Sequence, residues 1–123
     1  MNKYLAIDWG EKRLGLAVGN DEPKLAMPLT TVTSWQDLLK IIKEEEPDII
    51  ILGNPLSMSG EESISKKFIN FKNKLSESTN KEIILVDERL SSISADKLRG
   101  RKFKLGRDEI AAMVILESYL NTI

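Results

Sequence analysis

Two short segments made only of Ile, Leu and Val place the strongest constraint on the fold of this chain. They occupy residues 49–52 and 83–86; Gly53 follows the first and an acidic pair follows the second. Uniformly apolar runs of this length, bounded by turn-forming or charged residues, are typical of strands buried on both faces of a sheet. Such strands separated by helical patterns predict an α/β fold for the second half of the chain.

The first third of the sequence predicts an antiparallel meander. Apolar runs cover residues 4–7 and 14–18, and the tight connection that starts at Gly10 predicts a hairpin between them. A third strand is predicted over residues 24–32. It contains Pro28, which suits an edge strand or a β-bulge because proline cannot donate to a sheet ladder.

Helix-start signals follow the meander. Ser34 and Ser59 each have an acidic residue three positions later, a spacing typical of capping boxes. Further helices are predicted over residues 92–98 and from Asp108 onward. The order β-β-β-α-β-α-β-α-α predicts a five-stranded mixed sheet with helices on both faces, in one domain covering residues 1–123.

The composition excludes several kinds of chemistry. The 123 residues include no Cys and no His. Disulfides, thiolate or imidazole metal sites and His-dependent catalysis are therefore excluded, and catalysis must use carboxylates, Lys, Tyr, Ser or a metal bound by oxygen ligands. No apolar run approaches the roughly 18 residues of a membrane span. The N-terminus has no signal-peptide pattern, so a cytoplasmic location without membrane association is expected.

Basic residues are concentrated in one segment. The net charge is −1, yet residues 97–107 hold six of the 18 basic residues and none of the 19 acids. This basic segment suggests a docking site for a polyanion, and a solvated loop is the structural alternative. Phe103 within it is the aromatic residue expected to stack on a base, whereas Trp9 and Trp35 are expected to be packing residues. The basic residues are Lys97, Arg99, Arg101, Lys102, Lys104 and Arg107.

Acidic residues stand at three points where the chain changes direction. Asp8 ends the first strand, Asp87 and Glu88 end the last strand, and Asp108 begins the closing helix. Ligands of α/β sheets bind beyond the carboxyl ends of strands, so these acids can converge. Converging carboxylates raise each other's pKa unless a cation neutralises them, and hard oxygen ligands suit Mg²⁺ or Mn²⁺. Two such ions can activate water and stabilise the leaving oxygen in phosphodiester hydrolysis.

Each acid also has a structural interpretation. Asp8 can form an Asx-turn. Asp87 or Glu88 can cap the following helix or pair with the neighbouring arginine, and Asp108 is favoured by the dipole of the helix that it begins. The joint placement of the acids, rather than any one of them, favours a catalytic site.

Four blocks of motif residues span nearly the whole chain: Asp8-Trp9-Gly10 with residues 13–19, Gly53-Asn54-Pro55-Leu56 with Met58 and Gly60, residues 87–92, and Asp108 with Ala111-Ala112 before Ile115-Leu116. In content and order they resemble the YqgF (RuvX) family. The resemblance implies a ribonuclease H-like fold related to the RuvC resolvases. It also implies a bacterial cytoplasmic nuclease that matures the 5′ end of pre-16S ribosomal RNA or, in an older proposal, a Holliday junction resolvase.

By this resemblance Asp8 is a metal ligand on the first strand and Asp108 is the acid of the closing helix. The third carboxylate is Glu88 in preference to Asp87, although the residues alone leave both open because the strand before them is uniformly apolar. Many ribonuclease H-like enzymes place an acid at the end of the middle strand, where this chain has Asn54. The resemblance therefore implies a site with few carboxylates, which would hold a second metal only together with substrate phosphate.

The leading hypothesis is a Mg²⁺- or Mn²⁺-dependent endonuclease acting on structured RNA. Precursor ribosomal RNA is the expected substrate, ribosomal particles are candidate partners, and a monomer or weak homodimer is the expected state. The residues assigned to phosphate binding are Lys12, Arg13, Arg99, Arg101, Lys102, Lys104 and Arg107. The alternatives are a resolvase acting on DNA junctions, which requires two active sites in a dimer, and a non-catalytic RNA-binding or regulatory protein.

Overall fold

The computed structural model describes residues 1–54, 62–87 and 107–123, which form five strands and three helices. In chain order these elements are β1 (Lys3–Trp9), β2 (Leu14–Asp21), β3 (Lys24–Val32), α1 (Trp35–Glu45), β4 (Ile49–Asn54), α2 (Glu62–Thr79), β5 (Glu82–Asp87) and α3 (Arg107–Leu120). The predicted strands and the helices after Ser34 and at Asp108 are confirmed. The predicted helix over residues 92–98 and the predicted helix start at Ser59 lie outside the described residues.

The strands form a mixed sheet in the order β3-β2-β1-β4-β5. β1 is antiparallel to β2 and β2 to β3, as predicted for the meander, whereas β1, β4 and β5 run parallel, so the sheet is mixed as expected. β4 lies inside the sheet, and Ile50, Ile51 and Leu52 are completely buried. β5 is an edge strand of the described sheet, and its Leu85 is 39% exposed. Full burial on both faces is therefore confirmed for β4 and wrong for β5: at the edge of the described sheet, Ile83, Ile84 and Val86 pack against the core only in part and Leu85 is exposed.

β3 carries both features that Pro28 predicts. It is the other edge strand of the described sheet. Its pairing with β2 joins Leu16 to Thr30 but Ala17 to Pro28, so Leu29 is an extra residue in the ladder. An extra residue of this kind is a β-bulge, which interrupts the hydrogen bonds of the ladder next to the proline.

Helices cover both faces of the sheet. The first, here called the α3 face, packs Tyr4, Ala6, Ala17 and Ile51 against buried residues of α3. The second, here called the α1–α2 face, has the buried residues Leu5, Ile7, Leu14, Leu16, Val32, Leu38, Ile42, Ile50, Leu52, Phe68 and Leu75. Successive residues of β1 thus contribute to alternate faces, and this alternation sets the direction of the side chains at the end of the strand.

Local signals define the ends of α1. The Ser34 hydroxyl accepts a hydrogen bond from the backbone N–H of Asp37 at 3.1 Å and caps the helix. The helix ends where Glu46 adopts a left-handed φ of 48°, directly before Pro47. Within the described residues, no helix is both long and apolar enough to cross a membrane.

α3 is deeply buried against the sheet. Val114 and Ile115 are buried, while Ala111 is only partly buried. All five residues from 112 to 116 are buried, and such a run covers more than one side of a helix. α3 therefore lies deep against the sheet, and its first turn is held in a defined position relative to β1 and β2.

Candidate active site

Asp8 lies near the carboxyl end of β1 and belongs to the α3 face. Tyr4 and Ala6, which precede it at intervals of two, both pack in the cluster under α3. Side chains two residues apart in a strand share a face, so the Asp8 carboxylate is directed to the same side. Asp8 is partly buried, at the point where β1 runs into the hairpin that leads to β2.

Glycines flank Asp8 on both neighbouring strands. Gly15 is its antiparallel partner on β2. On β4, Leu52 pairs with Ile7, so Gly53 is the next residue in register beside Asp8. Both glycines are buried. Neither neighbour places a side chain beside the Asp8 carboxylate, which leaves room there for the backbone of another element.

The first turn of α3 uses the room above Gly15. A Cβ on Gly15 would overlap the backbone carbonyl of Asp108 and lie 2.9 Å from the Asp108 Cβ. α3 therefore packs backbone to backbone on the residue that pairs with Asp8. The fold brings Asp8 and Asp108 to the same end and the same face of the sheet, although they are far apart in the sequence.

Two further contacts hold the start of α3. The Arg13 Nε lies 3.2 Å from Oδ2 of Asp108, in an ion pair whose side chains are 65% and 30% exposed. The Thr31 hydroxyl on β3 donates a hydrogen bond to the carboxylate of Glu109. Acids in the first turn of a helix are favoured by its dipole, so the structural interpretation of Asp108 also applies. Arg13, predicted to bind phosphate, thus contacts the candidate catalytic acid.

The remaining predicted residues are described only in part. Lys12 is exposed in the β1–β2 hairpin, Asp87 is the last residue of β5, and Arg107 is the first of α3. Asn54 follows Ile50 and Leu52 at intervals of two, and these belong to the α1–α2 face. The position of Asn54 therefore belongs to the opposite face of the sheet from that of Asp8. The predicted site residues Glu88, Arg99, Arg101, Lys102 and Lys104 lie outside the described residues.

The donor atoms at this end of the sheet are carboxylate oxygens, which suit a hard divalent cation. Within residues 1–54, 62–87 and 107–123, no group of three or more acidic, Cys or His side chains could hold a metal. The described part of the chain therefore supplies two carboxylates, from Asp8 and Asp108. The predicted third ligand, Glu88, belongs to the part that is not described.

The glycines that make this arrangement possible are not among the predicted site residues. Gly15 and Gly53 stand in otherwise apolar strands, where a glycine often marks a close backbone approach. That signal was available from the sequence, but the element that approaches Gly15 was not. The Arg13–Asp108 ion pair likewise could not be read from residues so distant in the chain.

The five-stranded mixed sheet with helices on both faces is a ribonuclease H-like fold. Thermus thermophilus RuvC, solved in complex with a Holliday junction substrate, aligns with a TM-score of 0.69 and 14% identity, covering 98% of this chain and 94% of that one. The fowlpox virus Holliday junction resolvase aligns with a TM-score of 0.62 and 18% identity, over 98% of this chain and 99% of that one. At such identities the likeness shows the fold alone.

Sequence comparison identifies the family. The model of the RuvX family, described as Holliday junction resolvase, matches residues 2–122, and the chain belongs to this family. A relative from Maridesulfovibrio salexigens is 39% identical over 96% of this chain and 97% of its own length. One from Nitrosospira multiformis is 35% identical over 95% of this chain and 86% of its own length. Both carry the name "Putative pre-16S rRNA nuclease".

Proposed function

We propose that this chain is a metal-dependent endonuclease that cuts structured RNA, with maturation of the 5′ end of pre-16S ribosomal RNA as its reaction. The observation that carries the proposal is the packing of α3 on Gly15, which puts Asp108 on the same face and at the same end of the sheet as Asp8. The names of the RuvX relatives support RNA as the substrate. The cytoplasm is the location that fits such a substrate, and one catalytic domain covering residues 1–123 is part of the proposal.

We assign the third carboxylate to Glu88 rather than Asp87. Ile84 and Val86 of β5 both pack against the cluster under α3. Because strand residues at intervals of two share a face, the spacing in the sequence favours the residue two positions beyond Val86. Asp8, Asp108 and Glu88 would hold Mg²⁺ or Mn²⁺, which would supply water activation and stabilisation of the leaving oxygen.

The side chains around the carboxylates would bind and orient the RNA. Arg13 offsets the negative charge of Asp108, since their side chains form an ion pair. An exposed ion pair of this type contributes at most about 1 kcal/mol, so a substrate phosphate can replace the carboxylate as the partner of Arg13 at little cost. Lys12 and Arg107 are assigned to the same phosphate track. The residues that would extend it through the basic segment are Arg99, Arg101, Lys102 and Lys104.

A cleavage assay with matched variants tests the proposal. Wild type, Asp8→Asn and Asp108→Asn are incubated with precursor 16S RNA in the presence of Mg²⁺, Mn²⁺ or EDTA. Asp37→Asn is the control, because Asp37 is an acid in the first turn of a helix, as Asp108 is, but is exposed and belongs to α1. We expect cutting with either metal by wild type and Asp37→Asn, and none with EDTA or by the other variants. Cutting that persists in Asp8→Asn, or no cutting by wild type, would refute the proposal.

Hydrolysis of DNA junctions is the second candidate function. The description of the matching family model supports it, since that description is Holliday junction resolvase. Symmetric cutting of a junction needs two active sites, so this candidate also requires a stable dimer. A four-way DNA junction in the same assay, with the molecular mass measured by light scattering, separates the two. Cutting of the junction but not of the RNA by a dimer would favour the second candidate. Binding of RNA without cutting, unchanged in Asp8→Asn, would indicate a non-catalytic regulatory protein.

A further inference from the structure

A cleft of about 220 Å³ lies at the end of the sheet where β1 turns into β2. The hairpin residues 10–14 form one wall, and residues 32–35, which lead into α1, form another. Phe71 and Lys74 on α2 complete the lining. Trp9, Trp35 and Phe71 all pack against the core of the α1–α2 face, so the cleft opens on the opposite side of the sheet from Asp8.

Two indole rings lie in this cleft, and both are partly exposed. Trp35 meets Phe71 edge to face, with ring centroids 5.9 Å apart and an interplanar angle of 88°. Trp9 meets Phe68 in the same manner at 5.7 Å and 74°. Edge-to-face contacts hold the rings in a defined orientation. The indoles therefore offer rigid, partly accessible aromatic surface to a ligand.

Three basic residues line the same cleft as the two indoles. Lys12, Arg13 and Lys74 line the cleft, and Nζ of Lys74 lies 4.4 Å from the centre of the Trp35 ring. Glu11 is the acidic residue of the lining, and its carboxylate is paired with Lys67 at 3.0 Å. The cleft thus combines aromatic surface with an excess of cations, the pairing used by proteins that bind single-stranded nucleic acids.

The cleft and the candidate active site share the β1–β2 hairpin. Trp9 directly follows Asp8, and successive strand residues point to opposite faces. Arg13 lines the cleft and also contacts Asp108 at 3.2 Å. A polyanion bound near the carboxylates therefore needs to pass only the hairpin to reach the indoles.

We propose that this cleft binds an unpaired segment of the nucleic acid substrate. A base stacks on the indole surface of Trp9 or of Trp35, where it replaces the Lys74 ammonium over the ring, and flanking phosphates contact Lys12, Arg13 and the displaced Lys74. The inference rests on the proposed function for the identity of the substrate. It differs from the expectation that Trp9 and Trp35 serve only in packing, because both line an open, positively charged cleft.

Intrinsic fluorescence gives a direct readout of this binding. The chain contains two Trp residues, and both line the cleft. Titration with a short oligouridylate or oligothymidylate in EDTA, where no cutting is expected, should quench this fluorescence. Polyglutamate, an acidic polymer without bases, is titrated separately as the control. Quenching by both oligonucleotides would indicate base and phosphate recognition, and quenching by the RNA alone would indicate that the ribose also contributes. Quenching by polyglutamate to the same extent as by RNA would overturn the proposal.

Variants assign the binding to the cleft, with affinity measured by anisotropy of a labelled oligonucleotide. Trp35→Leu keeps an apolar side chain against Phe71 and should weaken binding by roughly five- to a hundredfold, the effect of losing one stacked base. Lys74→Gln should weaken binding and lower the slope of log affinity against log salt by about 0.7. Lys43 lies in the last turn of α1, at the opposite end of the helix from Trp35, so Lys43→Gln should bind the oligonucleotide as wild type does. Unchanged affinity in both cleft variants would overturn the proposal.

The outcomes also separate this inference from the proposed function. RNA cutting that depends on Asp8, together with oligonucleotide affinity that is indifferent to Trp35 and Lys74, would overturn the cleft and retain the nuclease. Oligonucleotide binding that depends on Trp35 and Lys74, in a protein that cuts no RNA with either metal, would retain the cleft and overturn the nuclease.

Discussion

Substitution of Gly15 by alanine is expected to move the start of α3 and so displace Asp108 from Asp8. The added Cβ would overlap the backbone carbonyl of Asp108 and lie 2.9 Å from its Cβ. Carbon atoms in favourable contact are about 3.5–4.0 Å apart, so the first turn of α3 must shift by roughly 1 Å. No described glycine has a positive φ, so the obstacle at Gly15 is steric rather than conformational.

The expected losses of stability and of cleavage rate follow from this overlap. Overpacking a well-packed site destabilises a protein by about 1–3 kcal/mol. For a domain of this size each kcal/mol lowers Tm by about 4 °C, so we expect a fall of about 4–12 °C. A displacement of about 1 Å in a positioned catalytic group can reduce the rate about a hundredfold. Gly15→Ala should therefore lose about a hundredfold in RNA cleavage at temperatures where it is fully folded.

Gly19→Ala is the matched control. Gly19 lies on the same strand and the same face, and its Cβ would overlap the carbonyl oxygen of Leu25 and lie 2.8 Å from Cδ2 of Leu116. The steric cost is comparable, but Asp108 is not involved. Thermal unfolding by circular dichroism and single-turnover cleavage are measured on both variants. Equal cleavage rates of the two folded variants, or unfolding of Gly15→Ala at the wild-type temperature, would contradict a steric displacement of Asp108 by the added Cβ.

Three further predictions follow from individual contacts. Arg13→Gln removes the 3.2 Å ion pair with Asp108 and should change stability by less than about 1 kcal/mol, while weakening RNA binding measured by anisotropy. Ser34→Ala removes the cap of α1 and should lower stability by about 1 kcal/mol in urea titrations, without loss of cleavage. The pKa of Asp21 is lowered chiefly because its carboxylate accepts a hydrogen bond from the backbone N–H of Asn2. Because the pKa is lower in the folded state, the Asp21 carboxylate stabilises the fold at pH values above its ordinary pKa, and this stabilisation is lost as the pH falls through the folded-state pKa. Asp21→Asn should therefore flatten the dependence of Tm on pH in this acidic range.

The fold was predictable because its main signals are local. Uniform apolar runs, Pro28 and the Ser34 cap each act within a few residues, and the structure confirms the strands, the edge position with its bulge and the helix start that they predict. The two apolar runs also show the limit of such signals. Residues 49–52 and 83–86 have the same kind of composition, yet the first lies inside the sheet and the second at its edge. Strand order depends on contacts between distant segments, which no local pattern specifies.

The candidate site was predictable as a set of acids but not as a geometry. Asp8 and Asp108 could be recognised because they stand at the end of a strand and at the start of a helix. Their proximity depends on Gly15, whose meaning appears only when the partner element is known. Trp35 packs against Phe71, as the sequence predicts. Its place in a charged cleft depends on Lys74, which comes from a different helix.

The candidate active site and the aromatic cleft meet at the hairpin between β1 and β2, because side chains alternate between the two faces of a strand. Asp8 and Trp9 are consecutive, so one presents its side chain to the α3 face and the other to the α1–α2 face. A shift of one residue in the pairing of β1 would exchange the two side chains. Gly15 opposes a corresponding shift of β2 beneath α3, because any larger residue brought to its position would meet the backbone of α3. Since Gly15 also pairs with Asp8, the residue that positions Asp108 lies directly beside the strand end from which the acidic site and the aromatic cleft diverge.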